Sequence, residues 1–196
     1  MTLAWPAGVV GNIQTEIPMA LGSPQKSPLT GTTQGGGSSV VMWRLELNFP
    51  LENVMADVRA VRNVMAQAKQ DTVAIPVRQP GFTVGTPGTV TVGTGHVAGT
   101  KSLPLTGIAG GYSFLAGQFI SILTGGRYYL YTLAADSPAG AASRTVTLTS
   151  TTRAAHASGN TVDVTQPMIE GWIDLKSLTA DINAHYGFSL AIEEAQ

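Results

Sequence analysis

Between Val40 and Phe49 the chain reads V-V-M-W-R-L-E-L-N-F, with Trp43, Leu45, Leu47 and Phe49 alternating with Arg44, Glu46 and Asn48. A period of two sends successive side chains to opposite faces, so this segment is a strand with one dry and one wet face. Pro50 is expected to end it. The period then changes: Leu51, Val54, Met55, Val58, Val61 and Met65 recur every three or four residues up to Gln67, which predicts an amphipathic helix over about 51–68. Glu52 near its start and Lys69 near its end agree in sign with the helix dipole. The apolar stripe of such a helix needs a sheet to cover, and this pairing sets the class: mainly β (α+β), with one helix packed on the sheet.

The remaining pattern supplies more strands. Asp71 to Arg78 is expected to be a strand that is broken or held at an edge by Pro76, because proline donates nothing to a ladder. Phe119-Ile-Ser-Ile-Leu123 and Tyr128-Tyr-Leu-Tyr-Thr-Leu133 flank Thr124-Gly-Gly-Arg127 and read as a hairpin. Arg144 to Thr149 alternates with Val146 and Leu148 inward, Asn160 to Thr165 repeats this briefly, and Met168–Leu175 and Phe188–Glu193 return to the sheet. Glycines at 81, 85, 88, 93, 95, 99 and 107 fit the tight turns of a small antiparallel barrel or sandwich over residues 40–196.

Residues 1–39 differ from this. Pro6, Pro18, Pro24 and Pro28 lead into Thr33-Gln-Gly-Gly-Gly-Ser-Ser39, and such a segment hardly forms a core alone. Its apolar groups favour an extended arm docked on another subunit over a loose leader or an ordinary first strand. The expected assembly interface comprises Trp5, Ile13, Ile17, Met19 and Leu21 of the arm, with Tyr129 from the hairpin. Tyr129 is assigned to the face opposite the core, and the other hairpin and neighbouring aromatics to the core itself.

Charged residues are only 12% of the chain and the formal net charge is -1, which supplies neither the basic field of a nucleic-acid binder nor an acidic tail. A surface so poor in charge suits permanent neighbours. With no cysteine, disulfides, thiol nucleophiles and Cys-ligated metals are excluded. The N-terminus lacks the pattern of a signal peptide, and no segment approaches the roughly 20 apolar residues of a membrane span, so synthesis and assembly in the cytoplasm are expected.

Chemistry finds little support. His96, His156 and His185 show no metal-ligand spacing, and His96 and His156 read best as solvated loop imidazoles. There is no G-x-S-x-G elbow, and Asp57, Asp71, Asp136, Asp163, Glu170, Asp174 and Asp181 form no recognisable catalytic pair. Gly93-x-Gly95-x-x-x-Gly99 has the wrong spacing for a nucleotide loop and reads as turn glycines. No catalytic residue, metal or cofactor is assigned.

Several stretches together resemble the distal-tail and tail-tip structural proteins of long-tailed bacteriophages and related prophages. They are Trp43-x-Leu45-x-x-x-Phe49-Pro50-Leu51 followed by a helix, Gly81 to Gly88, His96-Val-Ala-Gly-Thr-Lys-Ser-Leu103, Leu115-Ala-Gly-Gln-Phe-Ile120 and Gly126-Arg-Tyr-Tyr-Leu-Tyr131. Asp136-Ser-Pro-Ala-Gly140, Val162-Asp-Val-Thr-Gln-Pro-Met168 and Tyr186-Gly-Phe-Ser-Leu-Ala-Ile-Glu-Glu-Ala195 continue the likeness, which spans roughly residues 40–196. Leu115-Ala-Gly-Gln118 lacks the lysine and aspartate usual at that place in such proteins. The resemblance implies a ring, sixfold or threefold, in the virion tail. It would connect the tail tube to the distal hub or host-recognition proteins, with DNA only as non-specific cargo through the lumen. A carbohydrate-binding tail module, and less so a cell-wall-degrading enzyme, remain as alternatives.

Overall fold

The structure is a computed structural model that describes residues 1–6, 9, 13–20, 25–26, 33–34, 41–52, 55–181 and 186–195. In chain order the elements are β1 (Thr2–Ala4), β2 (Ile13–Ala20), β3 (Gln25–Lys26), β4 (Thr33–Gln34), β5 (Val41–Glu52), α1 (Met55–Gln67), β6 (Thr72–Pro76), β7 (Thr91–Val92) and β8 (Ser102–Thr106). They continue as β9 (Phe119–Thr124), β10 (Arg127–Thr132), β11 (Arg144–Thr147), β12 (Val162–Asp163), β13 (Met168–Asp181) and β14 (Tyr186–Glu194). The result is a sheet-dominated domain with one packed helix among the described residues.

The largest sheet has six strands in the order β1-β6-β13-β14-β5-β2, antiparallel except for the β1–β6 pair. Alternation along β5 buries Leu45, Leu47 and Phe49 in its core, together with Val73, Ile75, Ile169, Ile173, Leu190 and Ile192. Val61 of α1 and Ala68 just after it close this core, with Val64 and Met65 packed at its margin. The period-two and period-3.6 stripes thus meet each other.

A second core lies in the residues inserted between β6 and β13. The chain leaves and returns at neighbouring points, since the Val77 N–H donates to the Pro167 carbonyl (2.7 Å) and Pro76 is paired with Met168. The insertion forms two three-stranded sheets, β10-β9-β12 and β11-β8-β7. Isolated bridges Thr91↔Thr161 and Leu133↔Leu148 join them at two margins around Val92, Leu103, Leu105, Phe114, Ile120, Ile122, Tyr131 and Leu148. No described sheet closes as a continuous barrel. The hairpin β9–β10 is a wall shared by the two cores: Phe119 and Leu130 enter the first, and Ile120, Ile122 and Tyr131 the second. Its turn has positive φ at both Gly125 and Gly126, the geometry of a type I′ turn, which only glycine adopts without strain.

Several expectations need correction. β5 does not end at Pro50 but runs to Glu52, so Glu52 is a strand residue and the helix starts at Met55. The missing N–H is tolerated because the β5–β14 register shifts between Phe49 and Glu52, where Pro50 lies. Lys69 lies beyond the helix end. β6 is an internal strand between β1 and β13, with Pro76 as its last residue. The supposed arm contributes β1 and β2 to the large sheet, and Trp5 and Val9 are buried in its core. Thr33–Gln34 pairs with Gln25–Lys26, whereas Leu21, Pro24, Pro28, His185 and residues 35–39 lie outside the described residues.

Candidate functional site

Two clusters of polar groups stand out, one sealed between the cores and one open on the outer face of the large sheet. The sealed cluster starts from a backbone requirement. β10 is an edge strand, and the N–H groups of Tyr128 and Leu130 have no ladder partner. An unsatisfied buried donor costs about 1–3 kcal/mol, and here two buried carboxylates accept these protons. Glu170 Oε2 accepts from Tyr128 (2.9 Å) and Glu194 Oε1 from Leu130 (2.9 Å). Glu170 Oε1 also accepts from the hydroxyls of Thr2 (2.7 Å) and Thr72 (2.8 Å), and Glu194 Oε2 from the Trp43 N–H (3.1 Å).

Arg153 completes the seam. Both of its terminal nitrogens donate to Glu194, and they also reach the carbonyls of Val41 (2.8 Å) and Leu130 (3.2 Å). Its guanidinium stands 5.1 Å from the Tyr131 ring centroid. Burial raises the pKa of the Glu194 carboxyl, against the opposing pull of Arg153 and the two backbone donors.

Beside this seam the imidazoles of His96 and His156 stack at 6.3 Å with an interplanar angle of 6°, and the two residues exchange backbone hydrogen bonds of 2.8 Å. The reading of both as solvated loop imidazoles is overturned, since His156 is only 1% exposed and His96 8%. His156 Nδ1 meets the Thr124 hydroxyl (2.7 Å) and Nε2 the Tyr131 hydroxyl (3.2 Å). Asn160 donates to the Thr124 oxygen (2.6 Å), leaving the Thr124 proton free to bond Nδ1 of a neutral ring. Burial, then His96, then Arg153 lower the His156 pKa to about 4, and burial lowers that of His96. These groups are buried among protein partners, although Arg153 Nε has no hydrogen-bond partner among the described residues. Among the described residues, no three His, Asp or Glu side chains are grouped to hold a metal.

The open cluster follows from the register. Because Leu45, Leu47, Leu190 and Ile192 point into the core, Arg44, Glu46, Ser189, Ala191 and Glu193 face outward. Ile17, Arg44, Glu193 and Trp172 form one cross-strand row over β2, β5, β14 and β13, and Thr15, Glu46, Ala191 and Asp174 form the next. Arg44 pairs with Glu193 and lies 3.6 Å from Glu46 and 3.7 Å from Asp174. Trp172 is 48% exposed and Ile17 36%, so an apolar group stands at each end of a charged row. A shallow depression of about 310 Å³ beside it is lined by Thr15, Glu46, Asn48, Ser189 and Ala191.

The residues expected at the interface are therefore scattered. Ile17 lies on the outer face and partly buried Met19 pairs with Met42, while Ile13 is at the register position of Asn48. Trp5 is a core residue whose Nε1–H donates to the Val9 carbonyl (2.8 Å), and Leu21 is not described. Tyr129 shares the inner face with Tyr131, its ring 5.5 Å from that of His156, and is not on the opposite face.

Trp172, Glu194 and Arg153 are not singled out by the sequence, and nothing in it pairs His96 with His156 by metal-ligand spacing. One signal did exist for the histidines. His96-Val-Ala-Gly-Thr100, His156-Ala-Ser-Gly-Asn160 and Phe114-Leu-Ala-Gly-Gln118 share an aromatic residue three positions before a glycine. Each of these glycines has a φ between 82° and 87° and donates its N–H to a carbonyl of another segment at 2.8 Å. The motif is a repeated turn that plants a ring in the second core.

Comparison with known proteins adds no family: no protein-family model matches the chain, and no curated protein matches it.

Proposed function

We propose that the chain is a structural subunit of a bacteriophage tail tip, assembled as a sixfold or threefold ring that connects the tail tube to distal hub or host-recognition proteins and catalyses no reaction. The carrying observation is the contrast in access: the ionisable groups between the cores are sealed, whereas Trp172 and Ile17 lie open at the ends of a charged row. Exposed aromatics beside charges are the composition of association surfaces. The sequence resemblance supplies the tail context, and the low charge content lowers the desolvation cost of closing subunits together. In this reading the inserted sheets are the small barrel-like or sandwich unit of the subunit.

Native mass spectrometry of the purified chain, alone and with tail tube and hub proteins, tests the reading. A closed multiple of the 20.3 kDa chain is expected. A persistent monomer under both conditions overturns it.

A further inference from the structure

The two faces of the large sheet carry opposite charge. On the outer face, among the described side chains, Glu46, Asp174 and Glu193 surround Arg44, a local balance of -2. The inner face is covered in part by α1, and over residues 55–70 the cations Arg59, Arg62 and Lys69 exceed the one acid, Asp57, by 2. These cations are all exposed: Arg59 and Arg62 lie on the side of α1 away from buried Val61, and Lys69 follows in the turn just after the helix. An acidic patch and a basic patch thus point in opposite directions from one sheet.

From this we infer that the basic face of α1 and of the turn after it docks on the outer sheet face of a second copy of the same chain, with Arg59, Arg62 and Lys69 against Glu46, Asp174 and Glu193 and with Trp172 buried within the contact. The inference rests on the ring reading and names its contact surfaces. A twofold contact between outer faces sets acid against acid, and one between helices sets base against base. Only a front-to-back contact brings unlike charges together at every junction, and this heterologous arrangement is the kind that closes into rings. Exposed Ala66 stands between Arg62 and Lys69 and lets the helix approach closely. Trp172, beside Glu193, offers a π face to an incoming guanidinium.

A charge-swap experiment on the full chain tests this. The helix variant is Arg59→Glu with Lys69→Glu, and the face variant is Glu46→Lys with Glu193→Lys. Each alone should be monomeric at concentrations where the wild type forms rings, and the chain that combines all four substitutions should regain the wild-type ring mass, because its helix and its face are again unlike in sign at every junction of a sixfold or a threefold ring. Circular dichroism and thermal unfolding verify the fold. Should a double variant misfold, the single Arg59→Glu and Glu46→Lys variants are used, with at least a tenfold weaker assembly each and recovery in the chain that carries both. Wild-type assembly by either variant alone, or no recovery in the combined variant, overturns this inference while leaving the ring reading standing. A wild type that stays monomeric with and without tail tube and hub proteins overturns both.

Discussion

Glu193 and Glu194 are neighbours on β14, each is paired with an arginine, and they lead different lives. Glu193 faces solvent beside Arg44, whereas Glu194 is enclosed by Arg153 and the N–H groups of Leu130 and Trp43. An exposed pair contributes about 1 kcal/mol or less to stability. A buried pair has little net value against an apolar replacement, but removing one partner strands the other charge at a cost of about 3–5 kcal/mol. The alternation of one strand therefore sorts the same chemistry into two functions: the inward pair fastens the inserted unit to the large sheet, and the outward pair patterns a surface.

The sharpest way to break this comparison is Arg153→Met. It leaves Glu194 buried without its cation and frees the carbonyls of Val41 and Leu130, so urea unfolding should show a loss of about 3–5 kcal/mol. A loss below about 1 kcal/mol would mean that the seam is no more than a surface pair.

A smaller, pH-dependent effect belongs to the histidine seam. The folded-state pKa of His156 is lowered to about 4 from an ordinary 6.5. The unfolded chain then takes up the proton first as pH falls, so this contribution is intact above pH 6.5 and is lost progressively toward pH 4. Glu194 and Asp163, both raised by burial, enter with the opposite sign, but they titrate in wild type and variant alike. The stability difference between wild type and His156→Gln, followed by thermal unfolding from pH 7.5 to 4, should shift against the wild type on acidification. A pH-independent difference removes His156 from the account.

How much of this was legible in the sequence depends on whether a feature is local. The alternation of Trp43 to Phe49 and the Gly125-Gly126 hairpin are set by neighbours a few residues apart and stand where the sequence puts them, and so does the stripe of α1 from Met55 on, although Leu51 at its expected start belongs to β5. Pro50 misled because a proline is permitted where the ladder shifts register. The prolines of the first 39 residues likewise suggested a separate arm, although β2 accepts Pro18 opposite Trp43 at the sheet margin. The seam was invisible for a different reason: Glu194 becomes a buried carboxylate only when β10, far away in the chain, presents an unpaired N–H to it. Trp172 was read simply as part of a strand, and its exposure follows from Ile173 taking the inward place.

The smallest expected effect on stability accompanies the largest on assembly, and the contrast between the two faces stands or falls on it. Trp172→Ser should cost about 1 kcal/mol or less, the range of a cross-strand pair. The decisive measurement is the native mass of this variant beside the wild type at equal concentration. A folded monomer from the variant and a closed ring from the wild type is the predicted result. Equal ring mass for both proteins would contradict the assignment of the outer sheet face to assembly.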